Sequence, residues 1–335
     1  MTYCAAPGHA PGFVAVVADR TPLSDSFLAL PVTHPGTCSL RPPFNTTLLG
    51  VPSRPYVEPE PGREETPLLG GDVSEGVVRV GDTVRRPLGP NSPVIHAVLM
   101  HLEHVGFTGA PRLLGVDDRN REVLTFLPGE VAGRPRPAWI GEEPRLQSVA
   151  RLLRDYHHAM QGFVLPAGLA PEWGIPALPE LPEVQPAQPV QVIGHQDVTC
   201  ENVVFRDGVA VGLIDFDLIR PTSVLMDVVN ALVWWAPLAD PVDRYPGMRD
   251  LDAGRRSRVF CDAYGLDVPS RQVLVQVARS NAARSWVLMK HRAETIGGGW
   301  RRMWDEGVGD TIRRRKSWLT AHEDELTHRL LARSR

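Results

Sequence analysis

Lysine is almost missing: Lys290 and Lys316 are the only two among 36 basic side chains in 335 residues. Any task that a lysine might take in the first two thirds of the chain falls to arginine or is left undone. Cysteine is scarce too. Cys4, Cys38, Cys200 and Cys261 lie far apart, without metal-ligand spacing, and read as free thiols of a reducing compartment. No apolar run reaches the roughly 20 residues that span a bilayer. The start has no basic n-region, and Asp19 and Arg20 interrupt the one early apolar run. A cytoplasmic protein without a membrane partner is the expectation. Net charge is −3, so no global positive field points to nucleic acid.

What is present is ordinary for a globular chain: 43% hydrophobic and 22% charged residues, enough for one large domain or two modest ones. Residues 1–61 are rich in proline, poor in charge and without period, which predicts a poorly ordered extension. From Thr66 the texture changes. "TPLLGGDVSEGVVRVGDTVRRP" alternates apolar runs with glycine turns and predicts three strands. After Asn91-Ser92-Pro93, apolar residues at Val94, Ala97, Val98, Leu102 and Val105 predict a helix. "PRLLGVDDRNREVLTFL" predicts two more strands, ending at Pro128-Gly129. The expected architecture is α+β: a small five-stranded lobe with one main helix over residues 62–128, then a larger, mostly helical lobe over 129–335. Helices are expected from about Pro144 to Met160, and near Ser223–Trp235, Ser270–Arg292 and Gly309–Leu331, with a Pro-rich connector over 166–189.

The densest chemistry lies in "VIGHQDVTCENVVFRDGVAVGLIDFDLIRP". Val203–Phe205 and Val209–Ile214 read as strands about an Asp207-Gly208 turn. A hairpin folds back on itself, so Asn202 at its entrance meets Asp215 at its exit, with His195 and Asp197 on the loop before. Carboxylate and amide oxygens suit a hard cation such as Mg²⁺. Two such ligands beside a further aspartate suggest Mg²⁺-nucleotide binding next to a base. The bland reading is a set of turn residues satisfying their own backbone.

His195-x-Asp197-x-x-x-x-Asn202, followed by Ile214-Asp215-Phe216-Asp217, resembles the catalytic and metal-binding loops of the aminoglycoside phosphotransferase/choline kinase family, within the protein-kinase-like fold. The resemblance runs from about Pro67 to the C-terminus, strong at the loops and weak elsewhere. It implies Asp197 as catalytic base, His195 as a brace of the catalytic loop, Asn202 and Asp215 as Mg²⁺ ligands, and Asp217 as a support of metal or loop. It also implies ATP, with GTP as the open alternative, and a small-molecule hydroxyl as acceptor, aminoglycoside-like compounds among the candidates.

In the smaller lobe the family pattern needs a hairpin over the phosphates, for which Gly70 and Gly71 are the candidates. A strand lysine is replaced by Arg85 or Arg86; adjacent strand residues face opposite ways, and Arg86 is favoured for the nucleotide. The helix glutamate that would pair with it is not obvious: His96 lies early and Glu103 late. Phe126 and Leu127 fall in the segment expected to hold adenine. Asp227, unusual in so apolar a helix, resembles a family aspartate that holds the catalytic loop. Two rivals stand beside this reading. A degraded kinase-like protein would bind nucleotide without turnover. "LIDFD" would also suit a DxD phosphatase, although such enzymes place that motif near the start of a Rossmann-like domain.

Overall fold

β-branched runs between glycine and aspartate turns become five antiparallel strands in the order β1-β2-β3-β5-β4. They are β1 (Thr66–Pro67), β2 (Val78–Val80), β3 (Thr83–Pro87), β4 (Leu113–Val116) and β5 (Arg121–Thr125). The computed structural model describes residues 56–57, 64–68, 76–169, 173 and 178–332. Gly70 and Gly71, and the expected extension up to Pro55, lie outside them. Tyr56 and Val57 do not drift: Val57 N donates to Val116 O at 3.2 Å, along the outer edge of β4. The β4–β5 turn is set by Asp117, whose carboxylate accepts from the backbone N–H of Arg119 and Arg121.

Helix α1 (Ser92–His104) starts at Ser92-Pro93 and buries Val94, Ile95, Val98, Leu99 and Leu102. The larger lobe opens with α2 (Glu143–Ala159), whose stripe Leu146, Val149, Leu153, Tyr156 is wholly buried. Burying such a side chain contributes about 1.5–3 kcal/mol. The ribbon of β7 (Val203–Arg206) and β8 (Val209–Leu213) turns at Asp207 (φ 51°) and Gly208 (φ 76°), the two positive φ values of a tight hairpin. It is flanked by β6 (Val192–Gly194) and β9 (Arg220–Thr222), which pair antiparallel. Helix α3 (Val224–Trp235) is capped by the Ser223 hydroxyl, which accepts from Met226 N. After it come α4 (Ala253–Tyr264), α5 (Val268–Thr295), α6 (Gly298–Asp305), α7 (Val308–Ala321) and α8 (Glu323–Leu331).

The sequence pattern differs from this fold in three places. Helices α4 and α6 are not expected from it. In α4 arginines dilute the apolar stripe, yet Arg256 is buried because its guanidinium donates to the carbonyls of Trp235, Gly141 and Ile140. The expected helix over 309–331 is two helices, broken at His322. The β6–β9 pair is also new, since three residues containing Pro221 give no strand period.

Candidate active site

The ribbon delivers what its turn promises. Ile214 N donates to Asn202 O at 3.0 Å, so the loop entering β7 and the loop leaving β8 are held side by side. Asp215 takes a left-handed backbone (φ 64°) that swings its carboxylate out of the strand direction. A non-glycine residue held there costs on the order of 1–3 kcal/mol. Phe216 behind it packs edge-on to His195 at 4.8 Å between ring centres, joining the two loops through apolar contact. His195 is fully buried, and burial drives its imidazole down to about 4 against the pull of Asp227 and the Ile214 carbonyl. The enclosed ring packs edge-on against both Phe216 and Tyr156.

Asp197, two residues on, is tied to the entrance of the ribbon by Asn202. Asn202 Nδ2 donates to its Oδ2 at 2.7 Å and to its backbone carbonyl at 3.0 Å. Burial, then the negative charges of Asp215 and Glu201, push its carboxyl up to about 7, against the opposing Asn202 bond.

The loop carrying Asp197 hangs on Asp227 of α3. The two Asp227 oxygens accept from His195 N (2.8 Å), Gln196 N (2.7 Å) and Gln196 Nε2 (2.8 Å). His157 Nε2 adds a contact at 2.9 Å, and its Nδ1 meets the Tyr264 hydroxyl at 2.7 Å. Burial raises the Asp227 carboxyl, but these partners, His157 foremost, outweigh it and hold the group down at about 2. One turn on, Asn230 receives Val198 N and donates to Gln196 O, both at 3.0 Å. Gln196 can therefore keep its strained φ of 60°. Gly194 makes room: a Cβ there would lie 2.9 Å from the Asp227 carboxylate and 2.5 Å from Thr222.

From the sheet, the two arginines of β3 part as adjacent strand residues must. Arg85 turns to Asp117 at 3.3 Å. Arg86 enters the site, where its guanidinium is hydrogen-bonded to Glu122 and Asp217 and lies 3.4 Å from Asp215. The acid that sequence reasoning sought on α1 comes instead from β5. Glu122 pairs directly opposite Arg86 in the β3–β5 register, and His96 of α1 contacts its other oxygen at 2.7 Å. Burial pushes the Glu122 carboxyl up, yet His96 and Arg86 overcome it and hold it below its ordinary value. Glu103, the late helix acid, faces Arg112 at 3.0 Å instead. In sequence Glu122 is one charged residue between Arg121 and the apolar Val123-Leu124; its place across from Arg86 comes only with the sheet register.

The segment between the lobes has one spent donor. Phe126 N gives its hydrogen to Asp82 O at 2.8 Å, while its ring lies 3.8 Å beneath the Arg79 guanidinium. The Leu127 side chain rests against the Cα of Gly212, where a Cβ would meet it at 2.7 Å. Gly129 then brings the chain against β7, with Glu130 and Phe205 exchanging N–H···O bonds of 2.9 and 2.8 Å.

Oxygen donors predominate at this centre, although among the described residues no group of three or more His, Cys, Asp and Glu side chains is arranged to hold a metal ion. The Asn202 amide points its NH₂ at Asp197, which leaves its carbonyl oxygen directed elsewhere. Asp215 and Asp217 are close enough that burial and the Asp217 charge raise the Asp215 carboxyl to about 6, against Arg86. Glu122, Asp215 and Asp217 put three carboxylates around Arg86, a local excess of negative charge. The antiparallel ribbon, meanwhile, is not the parallel sheet a DxD phosphatase requires.

Residues 164–259, which contain both loops, match the phosphotransferase enzyme family. Over 213 residues the chain is 32% identical to a trifolitoxin immunity protein of Rhizobium leguminosarum bv. trifolii, covering 62% of this chain and 77% of that protein. Its fold is similar to that of a choline/ethanolamine kinase family protein from Mesorhizobium loti (TM-score 0.50, 16% identity, 78% of this chain and 91% of that one). It is equally similar to an amicoumacin kinase solved with AMP-PNP, Ca²⁺ and Ami (TM-score 0.50, 13% identity, 82% and 91%). The chain belongs to the phosphotransferase enzyme family, and its two-lobed fold is similar to that of choline/ethanolamine kinases. Among the described residues, no helix is long and apolar enough to cross a membrane.

Proposed function

We propose that the chain transfers the γ-phosphoryl group of ATP to a hydroxyl of a small molecule. The observation that carries this reading is Asp197, a carboxylate raised to about 7 and held by Asn202 at the mouth of the ribbon that presents Asp215. The acceptor oxygen attacks the γ-phosphorus as its proton passes to Asp197, the bond to the β-phosphate oxygen breaks, and ADP leaves. Asn202, Asp215 and Asp217 are the residues that would hold Mg²⁺, which would neutralise charge on the phosphates. Arg86, kept in place by Glu122, would clamp a phosphate oxygen with its planar fork. His195 braces the loop through Phe216. The Leu127 backbone follows the spent Phe126 donor and is the adenine contact in this reading. The boundary between a nucleotide-binding lobe and a catalytic, acceptor-binding lobe falls at 128/129, where Gly129 permits the close crossing.

Replacing Asp197 with Asn tests the reading. Turnover, measured as acceptor-dependent ADP release, should fall by about 10³-fold or more, in the range of losing a general base and its positioning. Thermal stabilisation by Mg-ATP should persist. Unchanged phosphoryl transfer in D197N would remove Asp197 from its role. A wild-type protein that shows no thermal response to Mg-ATP would sink the kinase reading as a whole.

A further inference from the structure

Residues 195–202 and 214–220 form two loops that run antiparallel, like the β7–β8 ribbon and the β6–β9 pair on either side of them. At one end they are joined by backbone, where Ile214 N donates to Asn202 O at 3.0 Å. At the other end they are joined by side chains. Arg220 Nη2, on β9, donates to Gln196 Oε1 at 2.6 Å. Between these two ties lie Asp197 on one loop and Asp215 and Asp217 on the other, with the His195 and Phe216 rings in contact. The turn Phe216–Leu218 is short, and Ile219 N closes it on Phe216 O at 3.3 Å, so Arg220 lies just beyond Asp217.

Gln196 is an unexpected residue for its place. Its φ of 60° is a left-handed conformation that glycine adopts freely and a side chain resists. The residue is only 4% exposed, so its carboxamide is enclosed, and each of its polar groups is bound. The backbone N–H and Nε2 both donate to Asp227 Oδ1, at 2.7 and 2.8 Å. The carbonyl accepts from Asn230 Nδ2 at 3.0 Å, and Oε1 accepts from Arg220. Asp227 and Asn230 already hold the backbone of this turn. What the carboxamide adds is a span from the acid on α3 to the guanidinium on β9. Releasing either end would leave a buried donor or acceptor unpaired.

Asp197 sits directly after this span. The peptides on either side of it, through Gln196 O and Val198 N, are tied to Asn230 at 3.0 Å, which fixes its backbone to α3. The bond from Arg220 ties the residue before it to the segment that bears Asp215 and Asp217.

We infer that Gln196 and Arg220 are positioning residues, whose side-chain bond sets the place of Asp197 relative to Asp215 and Asp217. This rests on the phosphotransferase reading of Asp197. The pair touches no reacting atom and acts through the base, which must face the acceptor oxygen while the opposite loop meets the phosphates.

The test uses Gln196→Gly, Arg220→Met, Arg220→Lys, and R220M combined with D197N. ADP release from Mg-ATP is followed with water as the acceptor, and again with kanamycin, choline or ethanolamine added. In Q196G and R220M kcat should fall about 10²-fold, the scale of an error of about 1 Å in placing a reacting group, with KM for ATP unchanged. A lysine can still give one hydrogen to Oε1, so R220K should recover most of that loss. In the D197N background R220M should cost nothing further, because a positioning residue is silent once the group it positions is gone. A bond that only supports the fold predicts the reverse for glycine: Q196G relieves the left-handed strain, melts no lower than wild type and turns over normally. That result, or a loss in R220M that is the same in both backgrounds, overturns the inference. A D197N protein that turns over like wild type strikes the reading of Asp197 instead, so the two failures are told apart. A second measurement needs no turnover. Amide hydrogen exchange over residues 195–202 should be about tenfold faster in R220M, with α2 and α5 unchanged; exchange in that loop equal to wild type also overturns the inference. Melting temperature, read on every variant, separates lost rate from lost fold.

Discussion

Asp197 is asked to be both buried and ionised, and its neighbours set the terms. With its carboxyl near 7, kcat/KM for acceptor phosphorylation is expected to rise with pH along an acid limb about one decade per pH unit below that value, then level off. A bound cation beside Asp215 would move that limb lower, so raising Mg²⁺ should shift the midpoint down. A pH series at two Mg²⁺ concentrations measures both effects, and a flat profile from pH 5.5 to 8 would contradict the base assignment. The same burial has a stability consequence of definite sign. A folded carboxyl raised above its unfolded value destabilises the folded chain more as pH rises through the gap, so D197N should melt higher than wild type at pH 8 and close to it at pH 5. At Arg86, the change to Gln removes bonds to Glu122 and Asp217 and should raise KM for ATP about tenfold, the scale of one charge-assisted hydrogen bond. Initial-rate kinetics would show it.

Elements matter here as clamps. The loop between β6 and β7 has no regular structure of its own, and α3 holds it through Asp227 and Asn230, spaced to share one face. Asp227→Asn keeps the shape but turns one acceptor oxygen into a donor facing a backbone N–H and a side-chain nitrogen. The expected cost is about 3–5 kcal/mol, as for breaking a buried charged pair. Asp227 sits near 2 when folded, below its ordinary 3.8, so its contribution is complete above about pH 4 and is lost as pH falls towards 2. Denaturant unfolding at pH 7 and pH 3 should therefore give a gap between wild type and D227N that narrows at the lower pH. Gly194→Ala would push a methyl against Thr222 and that carboxylate, at a cost of about 1–3 kcal/mol by overpacking. Much of this machinery was legible because loop chemistry is local: HxDxxxxN, the Asp-Gly turn and IDFD carry their spacing in one stretch of chain. Asp227 betrayed itself as a charge in an apolar helix. Glu122 did not, because its meaning lies in a cross-strand register that only the folded sheet supplies. His157 and Tyr264 were equally silent, being long-range partners on α2 and α4.

On the scale of the whole molecule, the smaller lobe and the helical lobe share one continuous apolar core. Polar ties between them include Leu213 N to Gly109 O, His101 Nε2 with Ala159 O, each at 2.8 Å, and the reach of Arg86 to Asp215 and Asp217. Fold class was readable from the alternation of short strands followed by helices. Helices rich in arginine were not, since a guanidinium buried against carbonyls looks like surface in any hydropathy pattern. The planar fork of Arg86 spans three acids, Glu122, Asp215 and Asp217, which a single ammonium would not. That choice has an outcome for how such a protein would be noticed in a cell extract. Nucleotide-shaped reagents that tag ATP sites acylate a nearby amine, and a guanidinium that never gives up its proton offers them no nucleophile. With Lys290 and Lys316 both on helices of the other lobe, the proposed ATP site should stay unlabelled in such a survey even with nucleotide bound.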